Sequence, residues 1–136
     1  MDELFAFLHP TEIEERVEVF VSDRFKDENG NVKPFIVRAL QQEENEAIRR
    51  RCTKTKKAAG GGTYEALDKT AYSNALILEA VVFPDLKLKA FCDKFGVVDP
   101  SLVPAKMLTV GEYGRLTEGI MAASGLDDDV EEKAKN

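Results

Sequence analysis

The sequence predicts an α+β fold in which an N-terminal β-hairpin packs against a bundle of about four to five α-helices. Val17, Val19 and Val21 lie at alternate positions, which is the period of a strand with one buried face. From Gln42 onward, apolar residues recur at helical spacing instead. The 136 residues allow one domain. We expect that domain over residues 1–125, followed by a mobile acidic tail over residues 126–136.

Composition excludes several classes of protein. Hydrophobic residues make up 43% and charged residues 32% of the chain, which is too apolar for a wholly disordered protein. The 25 acidic residues outnumber the 19 basic ones, and the net charge of −6 disfavours a dedicated nucleic-acid binder. The apolar run Ala75–Phe83 is too short to span a membrane, and Met1-Asp2-Glu3 is acidic where a signal peptide is basic. We therefore expect a protein of the cytoplasm, with reduced cysteines.

The N-terminus carries an apolar stripe at helical spacing, formed by Leu4, Phe5, Phe7 and Leu8. Pro10 disfavours a helical residue before it, so the helix has one or two turns at most. Such a helix is unstable alone and must dock on its own domain or on a partner.

A hairpin is expected next. The run Phe35–Leu40 is the mate of the valine strand, and Asn29-Gly30 between them tolerates the positive φ angles of a tight turn. Two strands alone are marginal in water, so helices must cover the apolar face.

The first long helix is expected from Gln42 to the basic residues that end at Lys57. Its acidic residues come first and its basic residues last, which is the order that the helix dipole favours. Gly60–Gly62 then ends the helix as a flexible joint.

The next helix begins after the capping residue Asp68 and is expected to continue to Phe83, before Pro84. Because Ala75–Phe83 is apolar almost all round, this helix is central to the core or lies in an interface. Ile77 and Val81 are therefore candidate partner contacts.

Capping signals place three further helices. Asp85 begins a helix that Gly96 ends, and Asp99-Pro100 begins a short one that Pro104 limits. Thr109 and Glu112 form a capping box for a last helix, which ends at Gly125.

The segment Arg49–Lys57 contains six basic residues and no acidic one. It is either a phosphate-binding stripe or a solvated helix end, and an acidic partner or the tail residues Asp127–Asp129 would also satisfy its charges. No aromatic residues are interleaved for base stacking, which disfavours nucleic acid. We retain Arg49, Arg50 and Arg51 as candidate charged contacts.

No catalytic, metal or cofactor site is expected. Cys52, Cys92 and His9 are too few and too far apart for a zinc site, and His9 beside Pro10 is a poor general base. Gly60–Gly62 follows a predicted helix and lacks the Gly-Lys-Ser/Thr sequence of a P-loop. Adjacent carboxylates point to different faces of a helix. We expect a binding protein and no enzyme, with the N-terminal stripe as a candidate partner contact and self-association left open.

Seven segments of the chain carry a resemblance by their order and spacing: Val17–Ser22, Arg24–Gly30, Pro34–Ala39, Gln42–Glu46, Pro84–Leu86, Phe95–Pro100 and Leu108–Tyr113. From about Leu4 to Gly125, the chain thereby resembles the XkdN/YqbN-like family of phage tail assembly chaperones.

The resemblance implies a protein of phages and prophages that binds the tape measure protein before the tail tube polymerises. It also implies contacts with tail tube subunits and with a longer, frameshifted form of the chain. The resemblance further implies a protein of the host cytoplasm that is absent from the finished virion and has no catalytic residues. The alternative from another class is a small phage factor that binds nucleic acid through Arg49–Lys57.

Overall fold

The computed structural model describes residues 3–13 and 16–126, and it confirms the α+β class. Within these residues, six α-helices accompany two small antiparallel sheets. The predicted tail, apart from Leu126, lies outside the described residues. In chain order the elements are α1 (Phe5–Leu8), β1 (Val17–Val19), β2 (Phe35–Val37), α2 (Gln42–Arg51), β3 (Thr53–Lys57), β4 (Thr63–Leu67), α3 (Lys69–Ala80), β5 (Val81–Phe83), α4 (Lys89–Phe95), α5 (Val103–Met107) and α6 (Val110–Ala123).

The predicted N-terminal hairpin is confirmed as β1 paired with β2. The strands are antiparallel, with Val17 opposite Val37 and Val19 opposite Phe35. Gly30 adopts a φ of 84°, which its missing Cβ permits, and its N–H donates to Asp27 O at 3.0 Å. No residue other than glycine has a positive φ in the described part of the chain, so Asn29 does not share this conformation.

The third strand of this sheet corrects the prediction of one helix up to Phe83. Helix α3 ends at Ala80, and β5 then pairs antiparallel with β2, with Val81 opposite Val37. The β-branched residues Val81 and Val82 fit a strand, and Pro84 disfavours a helical residue at Phe83. A short apolar run is compatible with either a buried helix or a buried strand. Here the residues after Ala80 form a strand because they pair with β2.

A second hairpin corrects the prediction of a helix up to Lys57. Helix α2 ends at Arg51, and β3 pairs with β4 so that Thr53 lies opposite Leu67. Gly61 and Gly62 adopt φ angles of 94° and 76° in the connecting loop. Gly60–Gly62 is therefore part of a hairpin loop and not a joint between two helices. We call residues 53–67 the basic hairpin.

The predicted caps are confirmed where they rest on local hydrogen bonds. The Asp68 carboxylate accepts from Ala71 N at 3.1 Å at the start of α3, and Gly96 ends α4 with a φ of 69°. Asp99 accepts from Ser101 N at 2.9 Å, before a 3₁₀ turn that leads into α5. Asp85 accepts from Lys87 N in a turn, so α4 begins at Lys89 and not at Asp85 as predicted.

Helix α6 packs the sheet against the other helices. Leu116 and Ile120 on its inner face are buried, and β1 approaches it at Gly119. The core contains residues from the strands, α3, α5 and α6 that lie far apart in the sequence. Its most deeply buried apolar members are Val21, Val37, Ile77, Ala80, Val103 and Leu116.

One buried carboxylate joins the capping box of α6 to the first hairpin. Glu112 accepts from Arg24 Nε at 2.7 Å and Nη2 at 2.6 Å, and also from Thr109 N at 2.8 Å. The hydrogen bonds from Arg24 hold the pKa of Glu112 far below its ordinary value. Glu112 is thus a structural residue, and it stays ionised despite its burial.

Across the described residues, no helix is both long and apolar enough to cross a membrane.

Candidate interaction surfaces

The N-terminal apolar segment, Leu4–Leu8, includes the short helix α1 and is exposed to solvent. Its apolar side chains at positions 4, 5, 7 and 8 are between 59% and 81% exposed. His9 N donates to Phe5 O at 2.9 Å, and the His9 ring stacks on Phe5 with centroids 4.4 Å apart. Burying two phenylalanine and two leucine side chains is favourable, so this segment is a candidate anchor for a partner.

An apolar groove lies between the C-terminal half of α6, α3 and the connection from β2 to α2. Its volume is about 490 Å³. We call it the α6 groove. Its apolar lining consists chiefly of Ile13, Leu40, Leu76, Ile120, Met121 and Leu126. Ile13, Met121 and Leu126 are exposed, which makes the groove open to another chain.

A second depression continues this apolar surface towards β1. It has a volume of about 520 Å³, and its lining includes Val19, Phe20 and Ala122. Ile13 and Ala122 also line the α6 groove, so the two depressions share a rim. The apolar surface therefore runs along one side of α6 from β1 to Leu126.

Ile77 and Val81 do not belong to this surface. Ile77 is 0% exposed and Val81 is 5% exposed, and both pack in the central core. A partner cannot reach them in this structure, which corrects the prediction that they are partner contacts.

The basic residues are divided between two elements. Arg49, Arg50 and Arg51 are exposed at the end of α2, whereas the lysines at 54, 56 and 57 lie on β3. The Arg49 guanidinium carbon lies 5.7 Å from the centroid of the Tyr72 ring, and Lys54 Nζ lies 3.2 Å from an Asp68 carboxylate oxygen. The segment Arg49–Lys57 is therefore not one helical stripe.

An ionic network connects the sheet to α2 and α3. Arg38 donates to Glu44 at 3.0 and 2.6 Å and to Glu79 at 2.9 Å. The hydrogen bonds from Arg38 lower the pKa of Glu44 to about 2. Glu44 also accepts from Gln41 N at 3.0 Å, so this network helps to fix the start of α2.

The side chains of metal-binding type are scattered. Over residues 3–13 and 16–126, no three His, Cys, Asp or Glu side chains are grouped in a way that could hold a metal ion. Cys52, between α2 and β3, and Cys92, in α4, are buried free thiols.

Comparison with known proteins places the chain in a family. The family model described as "Phage XkdN-like tail assembly chaperone protein" matches residues 4–136. The chain belongs to this XkdN-like tail assembly chaperone family.

Relatives of this chaperone occur in Bacillus subtilis strain 168. The uncharacterized protein YqbN is 35% identical over 126 residues, and the phage-like element PBSX protein XkdN is 31% identical over 126 residues. Each alignment covers 90% of this chain and 85% of the relative. The crystal structure of YqbN superposes with a TM-score of 0.72 at 27% identity, covering 93% of this chain and 98% of the YqbN chain.

The α6 groove of this XkdN-like chaperone is the feature that sequence reasoning missed. Leu40 lies in the connection from β2 to α2, Leu76 in α3 and Met121 in α6, so the residues that form the groove come from three distant parts of the chain. The available signal was local: Met121 and Leu126 add apolar residues beyond the inner stripe of α6.

Proposed function

We propose that this XkdN-like chaperone binds the phage tape measure protein in the host cytoplasm and catalyses no reaction. The observation that carries the proposal is the exposed N-terminal apolar segment close to an open apolar groove. Ile13, which lines the groove, follows Leu8 by five positions, so the segment lies within about 17 Å of the groove. These two surfaces offer apolar contacts on neighbouring parts of one molecule.

A helical partner suits these surfaces. An amphipathic helix presents apolar anchors at i, i+3, i+4 and i+7, and such anchors fit an elongated apolar groove. The family resemblance implies that tape measure proteins are long, largely helical and prone to aggregate. Covering their apolar stripes with an acidic chain of net charge −6 would keep the complex in solution.

Release follows from competition in this proposal. Tail tube subunits take the place of the chaperone on the tape measure protein, and a frameshifted longer form of the chain would carry a second contact for them. Each chaperone copy must then bind with modest affinity, because its dissociation has to keep pace with tube assembly. The chaperone is consequently absent from the finished virion.

Coexpression with the tape measure protein tests the proposal. We expect the wild-type chain to keep the tape measure protein in the soluble fraction and Phe7→Glu to lose at least tenfold in affinity for a helical tape measure fragment. Val98→Glu is the matched control, because Val98 is 97% exposed and lies away from the groove. Equal binding by wild type and Phe7→Glu, or equal losses in both variants, would contradict the proposal.

The exposed guanidinium groups at the end of α2 favour the alternative nucleic-acid role. A triple Arg49→Ala, Arg50→Ala, Arg51→Ala variant separates the two functions. We expect it to retain tape measure binding. DNA or RNA binding that falls about 10³-fold between 50 and 200 mM salt, and that this variant abolishes, would instead support the nucleic-acid factor.

A further inference from the structure

We propose that two copies of this chain associate by exchanging their N-terminal apolar segments, each of which enters the α6 groove of the other copy. The proposed occupant of the groove is therefore Phe5, Phe7 and Leu8 of a second molecule. The inference concerns the free chaperone, and it uses the same segment and groove that the proposed function assigns to the tape measure protein, so a tape measure helix would compete with the second copy for them.

The chemistry of the segment matches that of the groove. Phe7 is its most exposed member, and Leu40, Leu76 and Met121 offer aliphatic and thioether surface to an aromatic ring. Among the described residues, every one that lines the groove is uncharged. Its volume of about 490 Å³ has room for several large side chains. An apolar segment can therefore enter it without burying an unpaired charge.

The segment does not occupy the groove of its own chain. Phe5, Phe7 and Leu8 remain at least 60% exposed, although Ile13, a few residues further along the chain, lines that groove. Pro10 lies between them and restricts the backbone where the chain leaves α1. In a two-fold dimer the two grooves can face each other. Residues 9–12 would then have to span only the distance from one groove to the other to place the segment in the neighbouring copy.

The buried area favours a reciprocal exchange over a one-sided contact. At about 200 Å² per phenylalanine and about 100 Å² per leucine, the exposed parts of Phe5, Phe7 and Leu8 amount to roughly 350 Å². With an equal area from the groove, two exchanged segments bury roughly 1,400 Å², which is within the usual range of a specific interface. One segment alone would bury roughly 700 Å², which is typical of a weak contact.

Sedimentation equilibrium of the full chain tests the exchange. We expect wild type to form dimers between about 1 and 100 µM, and both Phe7→Glu and Met121→Glu to weaken dimerisation at least tenfold. The matched control is Val110→Glu, because Val110 is 93% exposed and a glutamate in the first turn of α6 suits the helix dipole. This control should dimerise as wild type does. Circular dichroism should show that each variant is folded.

Mixing the two variants distinguishes exchange from any other dimer. A heterodimer of Phe7→Glu with Met121→Glu combines one intact segment with one intact groove, so the mixture should contain more dimer than either variant alone. A monomeric wild type, an unchanged dimer in both variants, or a mixture with no more dimer than its components would overturn the inference. A monomeric wild type that still binds the tape measure fragment would overturn this inference alone and leave the proposed function standing.

Discussion

The close approach of β1 to α6 predicts opposite effects for alanine at two glycines of the same helix. A Cβ at Gly119 would lie 2.6 Å from Val19 Cγ2 and 2.7 Å from Val19 Cγ1, whereas a Cβ at Gly114 would have no neighbour within 4 Å. Both residues lie inside α6. The pair therefore separates helix propensity from steric crowding.

The magnitudes follow from these two terms. Replacing glycine by alanine in a helix interior favours folding by about 1 kcal/mol, so Gly114→Ala should stabilise the protein by roughly that amount. Gly119→Ala gains the same term but forces Val19 aside, at a cost of about 1–3 kcal/mol for overpacking. The helix-propensity term is the same in both variants, so their free energies of unfolding should differ by the overpacking cost alone, about 1–3 kcal/mol.

Urea unfolding of both variants measures this difference through the midpoint and slope of each transition. In the Val19→Ala background the two clashing methyl groups are absent, so Gly119→Ala should cost less there than in wild type. If Gly119→Ala is as stabilising as Gly114→Ala, or if Val19→Ala leaves its effect unchanged, then β1 does not press against α6 as described.

Two further predictions concern the capping box of α6. The pKa of Glu112 is lower in the folded chain than its ordinary value of 4.5, so its contribution to stability is complete above about pH 5 and falls as the pH drops towards 2. Glu112→Gln should therefore be less stable at pH 7 and lose less stability on acidification, and parallel pH profiles for the two proteins would refute this. Thr109→Ala should lose about 1 kcal/mol in urea unfolding, because the Thr109 hydroxyl accepts from Glu112 N, while Thr109→Ser should lose far less.

Elements defined by short-range hydrogen bonds could be predicted from the sequence. The caps at Asp68, Gly96 and Thr109 each depend on residues within a few positions, and the turn at Gly30 depends on its own φ angle. Because both partners of such an interaction lie close together in the sequence, a local sequence pattern is sufficient to predict it.

Elements decided by distant pairing could not be predicted. Val81–Phe83 is a strand because it pairs with β2. The end of α3 just before it is also apolar, so composition does not mark where the helix stops and the strand begins. The basic hairpin could not be predicted for a different reason. Arginine and lysine are good helix formers, and their run masks the alternating threonines at 53 and 55 that mark β3.

The same distinction between local and distant contacts applies to the candidate interaction surfaces. The apolar side chains of the N-terminal segment were predicted as partner contacts, and the structure places them on the surface, although their partner is still a proposal. The α6 groove depends on three distant segments and could not be predicted. Ile77 and Val81 show that apolar periodicity alone does not distinguish a core residue from an interface residue.

The basic hairpin also offers a convenient attachment point for a spectroscopic label. Its loop residue Ala59 is exposed, whereas both native thiols, Cys52 and Cys92, are buried. A cysteine introduced by Ala59→Cys would thus react with maleimide dyes ahead of the native pair. A fluorophore at that tip, remote in sequence from Leu4–Leu8 and from Met121, would report tumbling and energy transfer while leaving both proposed docking surfaces chemically untouched.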